Sequence, residues 1–284
     1  VAANSGIRSI ADRFDLIIFD WAGTMVDFGC RAPVNALIEA FSRYGVAVTE
    51  PEVRRDMGKS KADHVRALLE MPRIAAAWAA ARGAPPCPSD CESLMVDLGP
   101  LMREQAALSA TLIEGARATV DELRAHGLRI ASSTGYTRDM MAPVLERAAA
   151  QGYVPDHLLC SGDTVQGRPS PLMIYRACAD LGVWPLSRVV KVDDAVAGVA
   201  EGRAAGCFTI GVAASGNGVG LSPEALAALP AVERTARIAA AGESLRAAGA
   251  DLVVDSVANL VPALQTVLEG RQEHLNERAA ARAS

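Results

Sequence analysis

The chain has 284 residues, 50% of them hydrophobic and 4% aromatic, and a formal net charge of −5. That length admits one large α/β domain or a domain with a smaller insertion, and the apolar fraction suffices for a sizeable core. An acidic balance without long single-sign runs argues against a broad nucleic-acid-binding surface, although a phosphate pocket needs only one or two cations.

No apolar stretch of about 18 residues and no basic-then-apolar leader is visible, so neither a membrane span nor a secretion signal is expected. The six scattered cysteines read as reduced thiols of a cytoplasmic protein. Cys87 and Cys91 have the spacing of half a metal site, but no second pair or nearby His completes four ligands.

Residues 1–13 are mixed and polar and read as a loose arm. Leu16-Ile17-Ile18-Phe19 is a continuous apolar run ending at Asp20, the pattern of a strand buried on both faces of a parallel sheet. From about residue 30 to 107 no strand pattern occurs. Helices are predicted from Ala32 to Tyr44, from the capping box at Thr49-Glu50-Pro51-Glu52, from Ser60 to Met71 with a stop at Pro72, and from Arg73 to Arg82. Ala84-Pro85-Pro86-Cys87-Pro88 reads as a turn, with helix again from Asp90.

Strand signals then return at Leu128–Ala131, Leu158–Cys160, Val189–Val192, Phe208–Val212 and Leu252–Val254, with helices such as Ala116–His126 and Ala197–Ala205 between them. Gly127 and Gly206 stand where helix C-caps belong. This alternation predicts an α/β fold: a doubly wound parallel Rossmann-like core sheet with an inserted α-helical cap domain. The expected division is a core of residues 1–29 and 108–284 and a cap of residues 30–107. The charged stretch 270–284 is expected to fray.

Ligands of an open parallel sheet bind beyond the carboxyl ends of its strands. Asp20, Thr134-Gly135 and Asp193-Asp194 stand at such ends, and Arg168 follows the Leu158–Cys160 strand in a Gly-Arg-Pro turn. An attacking carboxylate, a hydroxyl and a cation for a phosphoryl group, and carboxylates for Mg²⁺ form a phosphoryl-transfer set. Taken singly, a strand-terminal Asp is more often a helix cap or turn residue, Asp193-Asp194 reads also as two solvated turn carboxylates, and Arg168 beside Pro169 as an exposed loop cation.

Together these positions resemble the haloacid dehalogenase superfamily. Asp20-Trp21-Ala22-Gly23-Thr24-Met25-Val26-Asp27 is similar to its first motif, and Thr134, Arg168 and Asp193-Asp194 to the second, third and fourth. The inserted helices resemble its mobile cap. The resemblance implies a metal held by Asp20, the backbone carbonyl of Ala22 and Asp194, with Asp193 as an indirect partner. Many relatives carry Gly-Asp and a further Asp four residues on, where this chain has Asp193-Asp194 and Gly198.

Phosphatases of the superfamily carry a second Asp at the position of Ala22, which protonates the leaving alkoxide; alanine cannot. A carbon leaving group instead needs an electron sink, such as a protonated imine formed on an unprotonated amine. Lys61, in the first turn of a predicted cap helix, is the candidate. The helix dipole and burial both oppose its charge, and His64 three residues on shares its helix face. By position alone Lys61 reads as a surface lysine, with Lys59 its near neighbour.

The wider sequence is similar to the phosphonoacetaldehyde hydrolase family. Phe28-Gly29-Cys30, Met57-Gly58, Lys61, Asp63 to Leu68, Met71 to Ala75, Thr134-Gly135-Tyr136, Gly167-Arg168-Pro169 and Ser215-Gly216-Asn217 carry the match, from about residue 14 to 265. The resemblance puts the Schiff-base lysine at Lys61 and lines its pocket with Cys30, Met57, His64 and Tyr136. It implies Mg²⁺, a small phosphonate substrate and a homodimer. A phosphomonoesterase of the same superfamily and a non-catalytic phosphate-ligand binding protein remain as alternatives.

Overall fold

Strand β1 (Leu16–Phe19) has all four side chains buried, and it lies at the centre of a sheet that buries both faces. Its neighbours are β2 (Arg129–Ser133) and β4 (Val189–Asp193), both parallel to it, with Leu16 facing Arg129 on one side and Val189 on the other. Strands β3 (His157–Leu159), β5 (Phe208–Val212) and β6 (Leu252–Val254) complete the six-stranded order β3-β2-β1-β4-β5-β6. All pairings are parallel, as continuous apolar runs require. The computed structural model describes residues 9–269; the rest of the expected N-terminal arm and the charged tail from residue 270 lie outside the described residues.

The chain runs outward from β1 to β3 and then restarts at β4 on the other side of β1. This reversal opens a crevice between the carboxyl ends of β1 and β4. Asp20 directly follows β1 there, and Asp193 and Asp194 lie at the end of β4.

Between β1 and β2 lie α1 (Arg31–Arg43), α2 (Glu50–Arg55), α3 (Lys61–Leu69), α4 (Pro72–Arg82) and α5 (Pro88–Ser109), with no strand among them. Further α-helices are α6 (Ala116–Ala125), which also precedes β2, α7 (Arg138–Ala150), α8 (Leu172–Leu181), α9 (Val196–Ala205), α10 (Pro223–Ala228) and α11 (Ala231–Ala248), and residues 260–269 are helical as well. Two expectations need correction. Helix α3 ends at Leu69, and Pro72 opens α4 instead of closing α3, because a proline at a helix start forfeits only an N–H that has no partner anyway. Helix α5 begins at Pro88, not Asp90, for the same reason.

Side chains from α1, α3, α4 and α5 join one apolar cluster with Ile17, Phe19, Val190 and Val192 of the sheet. At roughly 1.5–3 kcal/mol for each fully buried large aliphatic or aromatic side chain, this shared cluster holds the insertion against the strand ends.

Candidate active site

The segment joining α2 to α3 passes between two loops of the sheet. A Cβ on Gly135 would lie 2.4 Å from the Lys59 carbonyl oxygen, and one on Gly58 would lie 2.8 Å from the Ala195 side chain. Gly58 also has φ of +90°, open to glycine at little cost. These close approaches bring the start of α3 over the carboxyl ends of β2 and β4. Ser60 caps α3, accepting from the Asp63 N–H, and Lys61 is its first residue.

The result is one small cavity lined by Asp20, Ala22, Cys30, Met57, Lys61, Thr134, Gly135, Tyr136, Arg168 and Asp194, together with Pro33, Gly58 and Ala195. Its volume is about 20 Å³, room for about one water. Nearly all of the expected site residues are thus brought together from segments far apart in sequence. Asp193 and His64 are not on the cavity wall.

Lys61 is 2% exposed, and burial pushes its pKa down to about 8, against opposing attraction from Cys30 and Asp20. Its Nζ sits 5.0 Å from the Tyr136 ring centroid. Lys59, in contrast, is bound to Asp56 at 2.5 Å and half-buried. His64 is wholly buried, but its Nε2 is taken by the Val53 carbonyl of α2 at 2.7 Å. Burial and the nearby Lys61 depress its pKa to about 3, so it is neutral near pH 7. The structure therefore places His64 behind Lys61, pinning α3 to α2, and not on the pocket wall as the resemblance implied.

Arg168 is 3% exposed, unlike an ordinary loop cation. Its Nη1 donates to Asp20 Oδ1 at 2.7 Å, and its Nη2 donates to the Ser133 carbonyl at 2.6 Å and to Ser133 Oγ at 2.9 Å. Burial opposes its charge, but Asp193, Asp20 and Glu201 outweigh that and hold the guanidinium protonated. Two members of this network were not anticipated. Lys191 of β4 donates to Ser133 Oγ at 2.9 Å and lies 3.0 Å from Asp193 Oδ2, while Glu201 of α9 lies 3.0 Å from Arg168 Nε. Both are fully buried. The sequence signal was Lys191 itself, a lysine inside a strand buried on both faces, which demands a buried counter-charge.

Ligand oxygens from Asp20, Asp193 and Asp194 lie within 4.8 Å of one another, the one group of three metal-capable residues among the described residues. Burial first, then Asp193, raises the Asp20 pKa to about 6, and burial with Asp20 and Asp193 raises that of Asp194. Asp20, Asp193 and Glu201 pair with the buried cations Arg168 and Lys191, while Asp194 meets Thr24, Cys30 and the Asn217 N–H instead. Carboxylates crowd together here, and the raised pKa values of Asp20 and Asp194 show, besides burial, the mutual repulsion that a bound cation would relieve. Hard oxygen donors suit Mg²⁺. The Ala22 carbonyl and Asp194 Oδ2 also converge, since the Cys30 thiol lies 2.9 Å from one and 3.2 Å from the other. The residues present fit such an ion.

Asp193 is the most deeply buried of the three and does not line the cavity. Its Oδ1 accepts from the Ala195 N–H at 3.0 Å, and its Oδ2 faces Lys191 and Arg168. A Cβ on Gly198 would fall 1.9 Å from Asp193 Oδ2. The carboxylate of Asp193 fills the space where a side chain at position 198 would stand, so the two departures from the commoner motif accommodate each other.

A family model for haloacid dehalogenase-like hydrolases matches residues 14–206. The phosphonoacetaldehyde hydrolase of Paraburkholderia phytofirmans is 43% identical over 251 residues, covering 88% of this chain and 94% of that protein. The chain belongs to the phosphonoacetaldehyde hydrolase family of haloacid dehalogenase-like hydrolases. Another member, from Syntrophobacter fumaroxidans, is 44% identical over 85% of this chain and 87% of its own length. A crystal structure of a phosphonoacetaldehyde hydrolase-like protein from Oleispira antarctica superposes with a TM-score of 0.89 at 38% identity, covering 94% of this chain and 96% of that one. The six-stranded sheet and its helices are thus the fold of this family.

Proposed function

We propose that the chain hydrolyses phosphonoacetaldehyde to acetaldehyde and phosphate, through an imine on Lys61 and an aspartyl-phosphate on Asp20. The observation that carries this reading is one cavity joining a buried lysine of depressed pKa to Asp20, Thr134, Arg168 and Asp194, with Ala22 where an ester hydrolase needs an acid. Its relatives of 38–44% identity carry the same activity in their names.

The neutral Lys61 amine adds to the aldehyde, loss of water gives an imine, and uptake of a proton from solvent converts it to the iminium. Asp20, oriented by Arg168 through Oδ1, attacks phosphorus. The P–C electron pair passes into the iminium and gives an enamine, so no alkoxide leaves and no acid at position 22 is needed. Thr134 and Arg168 receive the phosphoryl oxygens. Asp20, Asp194 and the Ala22 carbonyl would hold Mg²⁺, with Asp193 as an indirect partner, and the ion when bound would supply charge neutralisation at those oxygens. Water then cleaves the aspartyl-phosphate. Protonation of the enamine at carbon and hydrolysis of the imine release acetaldehyde.

A cavity of about 20 Å³ does not admit this substrate, so residues 30–107 act as a cap that opens from the core formed by residues 1–29 and 108–284. His64 serves as a positioning residue for α3. The family resemblance supports a homodimer in the cytoplasm, and light scattering on the purified chain tests the dimer.

Borohydride added with phosphonoacetaldehyde is expected to inactivate the enzyme irreversibly and to leave a reduced adduct on Lys61 by mass spectrometry. An adduct on Lys59, or faster phosphate release from ordinary phosphate esters than from the phosphonate, would overturn the proposal.

A further inference from the structure

We infer that Arg54 is a positioning residue for Asp194, acting through Asn217, so that the metal-facing carboxylate depends on the seating of α2 against the sheet. Arg54 belongs to the helical insertion, near the end of α2, yet most of its partners belong to the strand-end loops. Its Nη1 donates to the Gly29 carbonyl at 2.9 Å and to Asn217 Oδ1 at 3.1 Å, and its Nη2 donates to the Gly220 carbonyl at 3.0 Å. Asn217 answers by donating from Nδ2 to the Arg54 carbonyl at 3.0 Å. On its outer side Arg54 pairs with the exposed Glu50. A planar guanidinium satisfies these divergent acceptors at once, which a lysine ammonium at the end of a flexible stem does not.

Two of these acceptors, Asn217 and Gly29, lead to the metal-facing oxygens by a short path. The Asn217 N–H donates to Asp194 Oδ2 at 2.7 Å. Gly29 precedes Cys30, whose thiol contacts that same oxygen and the Ala22 carbonyl. The Gly29 N–H donates to the Ser215 carbonyl at 2.7 Å, and Ser215 Oγ donates to the Gly23 carbonyl at 2.7 Å. One side chain therefore ties α2, the linker entering α1 and the 215–220 loop into a single unit around Asp194. Lifting α2 breaks the link and frees the N–H that fixes the carboxylate. The consequence for metal affinity rests on the metal role proposed above for Asp194; the consequence for the loop does not.

The test uses full-length protein, Mn²⁺ as an oxygen-seeking probe followed by electron paramagnetic resonance, and hydrogen exchange of residues 214–221 in metal-free protein. Arg54→Ala and Asn217→Ala are each expected to weaken Mn²⁺ binding roughly tenfold, the scale of one lost hydrogen bond to a charged group. Asn217→Ala keeps the backbone N–H, so its effect reports the link alone. Arg54→Lys is expected to recover only part of the loss. The double variant is expected to be no worse than either single one, because both remove the same link, whereas independent effects multiply to about a hundredfold. Exchange of 214–221 is expected to quicken in all of these variants. Wild-type exchange and wild-type Mn²⁺ affinity in Arg54→Ala, or a multiplicative loss in the double variant, overturns the inference. If the wild type binds no Mn²⁺, the metal role of Asp194 falls, and exchange alone decides: retained protection in Arg54→Ala refutes the positioning role and lost protection upholds it.

Discussion

Lys61→Met separates the cost of the buried amine from its use. The Lys61 side chain lines a small cavity and is almost wholly buried, and burial lowers its pKa from the ordinary lysine value of 10.5 to about 8. The sign follows from linkage. Below pH 8 the amine is protonated in both folded and unfolded states, and the folded state bears the full penalty of a buried cation. Between pH 8 and 10.5 the unfolded chain binds more protons, so stability rises with pH; above 10.5 both states are neutral and the penalty vanishes. A shift of about 2.5 units corresponds to about 3 kcal/mol at pH 7. Methionine has similar length and no charge, so Lys61→Met is expected to stabilise metal-free protein at pH 7 by up to about 3 kcal/mol, shrinking toward zero above pH 10.5. It is also expected to abolish phosphonate turnover. Urea unfolding at pH 7 and above 10.5, beside a phosphate-release assay, checks both. A variant less stable than wild type at pH 7, or equally stabilised at both pH values, refutes the argument that a desolvated amine is held in the pocket.

The same depressed pKa leaves about one amine in eleven neutral at pH 7, so borohydride trapping on Lys61 is expected to quicken about tenfold between pH 7 and 9. A flat trapping rate over that range contradicts it. Gly198→Ala forces a methyl into the Asp193 carboxylate and is expected to weaken both metal activation and turnover, while Asp193→Gly combined with Gly198→Asp restores a carboxylate from the helix side and recovers part of each in a Mg²⁺ titration. Glu201→Gln removes a buried counter-charge of Arg168 and Lys191 and is expected to cost about 3–5 kcal/mol of stability; urea unfolding measures it. Ala22→Asp is expected to leave phosphonate cleavage no faster, since no oxyanion departs, and a gain in that rate would contradict the carbon-leaving-group argument.

The sheet was legible because its strands are short apolar runs between polar ends, and burial on both faces needs nothing more from the sequence. The residues at those ends were legible for a related reason: ligands of such a sheet gather where strands stop, and Asp20, Thr134 and Asp193-Asp194 stop strands. Ala22 and Lys61 were read through chemistry, as an absent acid and a needed amine. Sequence alone could not choose Lys61 over Lys59 by position. The tertiary structure separates them, because only Lys61 is sealed from solvent while Lys59 reaches Asp56. His64 shares its helix face with Lys61, as its spacing requires, but the direction of that face is set by how α3 packs on α2, which turns the imidazole to the Val53 carbonyl. Lys191, Glu201, Arg54 and Asn217 acquire their parts only when segments up to 163 residues apart meet. A local sequence specifies which groups a segment carries and which faces are apolar. The partners of a buried charge are fixed by the global packing that excludes water, and that is why the nucleophile was readable in the chain and its supporting network was not.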